Sequence, residues 1–154
     1  MTAVTATTAV TATTAVRVLI VDDQEPFRRA AAAVVAVADG FVLAGAVESG
    51  EECLATVPAL RPDLVLMDLG LPGLDGIETA RRLSMLARPP LVVLVSTHDP
   101  EEFGDRVNAC GAATYVAKSA FGPERLAAAW ALGASGIEAR TTSPASGTAD
   151  PQAS

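Results

Sequence analysis

Long apolar runs are missing from this chain of 154 residues. None reaches the roughly 18 residues that a membrane-spanning helix needs. Basic side chains are also scarce. Lys and Arg number 11 against 18 Asp and Glu, for a formal net charge of -7 and a pI of about 4.6. That balance argues against a surface that tracks nucleic-acid phosphates, which needs clustered Lys and Arg. Cysteine is rare. Cys53 and Cys110 fall in helical patterns without metal-ligand spacing. They read as small buried thiols in a reducing compartment, not as a disulfide. The only histidine, His98, reads as a loop residue rather than a phosphate carrier or ligand. What is present is 50% hydrophobic and 19% charged. This is the balance of a packed globule, and the length suits one domain with a proper core.

The stretch Leu64 to Gly76 organises the rest. Leu64 to Met67 is an apolar run of strand length that ends in one acid, Asp68. Gly70, Pro72, Gly73 and the pair Asp75-Gly76 then make a loop. Continuous apolar runs mark parallel strands buried on both faces. An acid at the carboxyl end of such a strand sits where open α/β sheets bind ligands.

Residues 1–16 repeat Thr, Ala and Val without charge or an apolar face, and read as a mobile tail. Order should begin at Arg17, with a short strand to Val21 ending in Asp22-Asp23. Pro26 suits the first turn of a helix, with Phe27, Ala30, Ala31, Val34, Val35 and Ala38 as its apolar stripe and Gly40 as its stop. Phe41 to Val47 is a second strand. Ser49 with Glu52 forms the pattern of a capping box ahead of Leu54 and Val57. After the central loop a third helix carries Ile77, Ala80, Arg81, Leu83, Ser84 and Leu86, until Pro89-Pro90. Leu91 to Val95 is a strand closing on Ser96-Thr97-His98. Pro100 to Cys110 should be helical, though Gly104 weakens it. Thr114 to Val116 is a last strand, ending at Ala117-Lys118-Ser119. Pro123 to Ala134 is a final helix with Leu126, Trp130 and Gly133 inward, and residues 135–154 read as a polar tail. This alternation specifies a parallel sheet wrapped by helices.

In a parallel sheet the strand ends share one edge. Asp22, Asp23, Asp68, Ser96 and Lys118 therefore meet in one crevice. Two like charges a few ångströms apart repel by roughly 3–4 kcal/mol at an effective dielectric near 20. A cation should bind there, and hard oxygen ligands that leave waters in place suit Mg²⁺.

Together, Asp22-Asp23, Asp68 with Pro72 and Asp75-Gly76, Ser96, Tyr115 and Lys118 resemble the receiver domain of two-component response regulators. The resemblance covers about residues 17–134, and its spacing looks most like NarL/FixJ-type receivers. It implies a flavodoxin-like (βα)5 doubly wound sheet with strand order 2-1-3-4-5. It further implies that Asp68 is a phosphoacceptor for a histidine kinase or phosphotransfer protein, in a cytoplasmic protein that is not otherwise an enzyme. Asp23, Asp68 and the carbonyl of Gly70 would hold Mg²⁺, with Asp22 acting mainly through a bound water. Lys118 would pair with the phosphoryl group, Ser96 would swing to it, and Tyr115 would follow inward.

Several residues depart from the family pattern. Ser119 stands where many receivers have proline, and Thr97 where Ala or Gly is usual. Thr97 adds a methyl and a hydroxyl at the entrance to Asp68. Gly104 and Ala112-Ala113 make the output face less standard. The roughly twenty residues after the last helix are too few and too polar for a helix-turn-helix domain. Output is therefore expected through a protein partner or a second copy rather than through DNA. Two other readings remain open: a binding module that works without phosphorylation, and a small Mg²⁺-dependent phosphohydrolase. The second lacks an evident general acid beside Asp68.

Overall fold

A computed structural model of the chain describes residues 15–97 and 105–134. The two expected tails, apart from Ala15 and Val16, lie outside the described residues, as do His98, Pro100 and Gly104. The elements are β1 (Val16–Val21), α1 (Glu25–Val37), β2 (Phe41–Val47), α2 (Gly50–Leu60) and β3 (Leu64–Asp68). They continue with α3 (Gly76–Ser84), β4 (Leu91–Ser96), α4 (Asp105–Ala109), β5 (Thr114–Ala117), a 3-10 turn at Lys118–Ala120, and α5 over residues 123–134.

All five strands run parallel, in the order β2-β1-β3-β4-β5, the flavodoxin-like arrangement expected. Alternate side chains of each strand feed two cores, as the period of two requires. Leu19, Val21, Val65, Met67, Val92 and Leu94 face α2 and α3, meeting Cys53, Val57, Ile77, Ala80 and Leu83. Val18, Ile20, Leu64, Leu66, Val93 and Val95 face α1 and α5, meeting Ala31, Val35, Leu126 and Ala129. Every residue of β3 is buried. Its four apolar side chains each contribute about 1.5–3 kcal/mol by burial, which fixes the strand that carries Asp68.

Several boundaries differ from the sequence expectation. β1 begins one residue early, because the Val16 N–H donates to the Gly40 carbonyl at 2.8 Å. Helix α1 stops at Val37, and Gly40, at φ 86°, turns the chain into β2. Ala30 is exposed, while Ala31 and Val35 carry the buried contact. Arg81 and Ser84 lie on the solvent side of α3 and Leu86 lies past its end at Ser84, so all three are exposed rather than packed. Cys110 is buried just after α4, not within it. In α5 the inward side is Leu126, Ala129 and Gly133, with Trp130 half-buried. Ser49 caps α2 by accepting from the Glu52 N–H at 3.1 Å. The returning Glu52 carboxylate takes the Glu48 N–H at 2.9 Å, one residue before the usual partner.

Candidate functional site

The carboxyl ends of β1, β3, β4 and β5 deliver Asp22, Asp68, Ser96 and Lys118 to one edge of the sheet. Asp22 follows β1 and is wholly buried. Its Oδ1 accepts the Gln24 N–H at 2.8 Å, an Asx turn that leads into α1. Its Oδ2 meets the Lys118 ammonium at 2.6 Å and has no hydrogen-bond donor beyond that charge contact among the described residues. Asp23 is exposed beside it. Asp68 is 6% exposed, and its Oδ1 accepts the Gly70 N–H at 3.3 Å and lies 3.6 Å from Lys118 Nζ. Asp22, Asp23 and Asp68 bring carboxylate oxygens within 4.8 Å of one another.

The Asp68 carboxyl is raised above its ordinary value. Burial is the largest cause, followed by the negative charge of Asp22. Lys118 and the Gly70 N–H oppose the rise, and Asp23 adds slightly to it. A carboxylate raised by burial and by adjacent like charge is a place where a cation is favoured. The donor set is all hard oxygen, with Asp23 open to water, which fits Mg²⁺. Asp22 has both oxygens engaged, one with a backbone N–H and one with Lys118. Asp23 and Asp68 would therefore be the better direct ligands.

The β3–α3 loop is held tightly against Asp68. A Cβ on Gly76 would overlap the Asp68 carbonyl oxygen, so only glycine lets α3 begin there. Asp75 caps α3, accepting the Glu78 N–H at 2.8 Å on Oδ1. Its Oδ2 pairs with Arg106 of α4 at 2.9 Å. Thr79 Oγ1, fully buried, donates to the Asp75 carbonyl at 2.7 Å. Ser96 is buried at the end of β4. The Tyr115 hydroxyl lies 3.5 Å from the Ser96 carbonyl, with its ring packed against the core beside α2 and α3. Thr97 is exposed. A Cβ on Gly70 would meet nothing within 4 Å, so that side of the crevice is bare.

Residues 18–131 match the response regulator receiver domain. The chain belongs to that family. The chain is therefore a receiver of the response-regulator type. Response regulator GacA of Pseudomonas viridiflava is 39% identical over 106 residues, 68% of this chain and 49% of that protein. The chain thus spans about half the length of this curated relative. The solved signal receiver domain of the putative response regulator NarL from Mycobacterium tuberculosis is 28% identical, with a TM-score of 0.65 over 70% of this chain and 86% of that one. The signal receiver domain of a modulated diguanylate cyclase from Desulfovibrio desulfuricans G20 is also 28% identical, with a TM-score of 0.70 over 77% and 93%. Among the described residues of this receiver, no helix is long and apolar enough to cross a membrane.

Sequence reasoning found the acids and the lysine of this receiver but missed one neighbour. Lys118 Nζ also lies 4.6 Å from the centroid of the Phe27 ring. Lys118 is the only lysine in the chain, but nothing in the sequence pairs it with Phe27.

Proposed function

We propose that Asp68 accepts a phosphoryl group from a phosphohistidine of a sensor kinase or phosphotransfer protein. The observation that carries this reading is a nearly buried carboxylate at the end of β3, inside an acidic cluster, 3.6 Å from an ammonium. An Asp68 oxygen attacks phosphorus as the P–N bond breaks. The donor imidazole leaves with the bonding electrons and is reprotonated. Lys118 meets the charge on the incoming phosphoryl oxygens, which is the largest contribution a site makes to such a transfer. Ser96 turns its hydroxyl to one of those oxygens, and Tyr115 occupies the space beside it. Asp23, Asp68 and the Gly70 carbonyl would hold Mg²⁺, which when bound supplies positive charge to the transferring group. Asp22 keeps Lys118 in place and acts on the cation at second hand.

The partner that reads the phosphorylated state is a protein or a second copy of this chain, bound near Tyr115, Lys118 and α4. Specific duplex binding by this chain alone is not expected at its net charge of -7. The primary test is intact mass after incubation with Mg²⁺ and a small acyl phosphate. One phosphoryl group should add, and Asp68→Asn should take up none. Labelling of Asp68→Asn would assign the acceptor elsewhere. Retention of full Mg²⁺ affinity by Asp23→Ala, read by titration calorimetry, would remove Asp23 from the cation site.

A further inference from the structure

Phe27 is the third residue of α1, directly after Pro26. Its backbone is held by the Phe27 N–H, which donates to the Gln24 carbonyl at 3.2 Å. Its ring packs on Phe121, with centroids 6.0 Å apart and planes tilted by 54°. Phe121 follows the 3-10 turn that begins at Lys118, and its N–H donates to the Lys118 carbonyl at 3.2 Å. The ring is thus fixed from both sides, and its face lies 4.6 Å from the Lys118 ammonium.

That ammonium needs such a neighbour. The Lys118 side chain is only 10% exposed, so it has lost most of its water. Two carboxylates face it at 2.6 and 3.6 Å from the sheet edge. They replace part of the lost hydration. An aromatic face supplies a further share from the side of α1, because the negative ring quadrupole attracts a cation most where water is excluded. A leucine would fill the same space without that attraction. Lysine is a point charge on a flexible stem, so what holds the head decides where the charge stands.

We propose that Phe27 is a positioning residue for Lys118, holding its ammonium over the acidic cluster and so setting how fast Asp68 takes up a phosphoryl group. The kinetic half of this inference rests on the reading of Asp68 as phosphoacceptor. The positional half does not. It also gives the first turn of α1 a direct hold on the reacting groups, a link that the apolar stripe of that helix did not reveal.

The test uses the full chain with isotope-labelled lysine, which reports one residue because Lys118 is the only one. Protons over a ring face are shifted upfield, so the Lys118 ε-methylene should resonate upfield of free lysine. Phe27→Leu should lose that shift, and Phe27→Tyr should keep it. With Mg²⁺ and a small acyl phosphate, Phe27→Leu should label about ten-fold more slowly, and Phe27→Tyr near the parental rate. A parental Lys118 resonance at the free-lysine position overturns the proposal, and needs no variant to fold. So does parental labelling by Phe27→Leu, or equal slowing in Phe27→Leu and Phe27→Tyr. Should the parent itself take up no phosphoryl group, the reading of Asp68 fails, and the Lys118 resonance still decides whether Phe27 positions the ammonium.

Discussion

We predict that Thr97 and Gly70 have opposite effects on access to Asp68. Asp68 pairs in register with Val95 of β4, so Thr97 stands two residues past that pairing, just beyond the end of β4. It is exposed. Gly70 leaves its side open, since a methyl group there would find no atom within 4 Å. In-line attack tolerates misplacement of only about 1 Å, so a methyl and a hydroxyl at the mouth should slow the approach of donor and water alike. We predict that Thr97→Ala speeds both labelling of Asp68 by a small acyl phosphate and loss of the label, by about three- to ten-fold each. Equal rates in Thr97→Ala and the parent would show that Thr97 does not obstruct the path. At this scale the sequence was readable where chemistry follows chain position. Asp68 ends an apolar run and Asp22-Asp23 ends another, so both were found. The pairing of Asp22 with Lys118 was not, nor was the seat of that ammonium on Phe27. These contacts join β1, α1 and the turn after β5, and no periodicity records which distant residues meet. Phe27 reads as one more apolar position of a helix until its ring face is seen.

The element that bears most directly on the site is α3, and its start is set by backbone contact rather than by side-chain packing. Gly76 lies against the Asp68 carbonyl so closely that a methyl group cannot fit. Backbone cannot move aside as a flexible side chain can. Gly76→Ala should therefore cost at least about 3 kcal/mol, at the upper end of overpacking, and should lower the rate of Asp68 labelling as well. Urea unfolding checks the first, and a loss under about 1 kcal/mol would show that the loop relaxes freely. Further along α3, Glu78 receives Arg81 at 2.6 Å and Arg82 at 2.9 Å. Hydrogen bonds from Arg81 and then Arg82 hold its carboxyl down to about 2. A depressed acid stabilises the fold above its unfolded value near 4.5, and that contribution is lost as the pH falls toward 2. Salt weakens it, because the group is at the surface. Carboxyl-carbon NMR should place the Glu78 midpoint well below those of the exposed glutamates, and an ordinary midpoint would dissolve the fork in solution. The element order was readable because five apolar runs alternate with helical stripes. The ends were less so. α3 stops at Ser84 although apolar residues continue to Leu86, because Met85 and Leu86 find no core to face.

Among the described residues, the two cores leave the β5 side thinly held. β5 is an edge strand of four residues paired only to β4. The described part of α4 has five residues, and its ties are the Arg106–Asp75 ion pair, between partly exposed side chains, and the packing of Val107. By contrast β1 and β3 are flanked by strands on both sides and covered by helices on both faces. Local opening is easiest where buried contacts are few, so the β5 and α4 side is where a small change in charge can be converted into a change of shape. The chemistry lies at the same place. Tyr115 rests over the Ser96 carbonyl, and Lys118 follows β5 by one residue. Arg106 reaches Asp75, the cap of the helix that follows the Asp68 loop. A phosphoryl group on Asp68 brings about two negative charges and three acceptors to the crevice. Lys118 and Ser96 should turn toward it, drawing β5 inward and changing the load on the Arg106–Asp75 pair. Amide hydrogen exchange should then change in β5, α4 and the start of α3, while β1 and β3 keep their protection. Comparison of the phosphorylated chain with Asp68→Asn under the same conditions checks this. Equal protection of β5 and α4 in the two samples would mean that phosphorylation leaves this face unchanged, and that a partner must read the phosphoryl group itself.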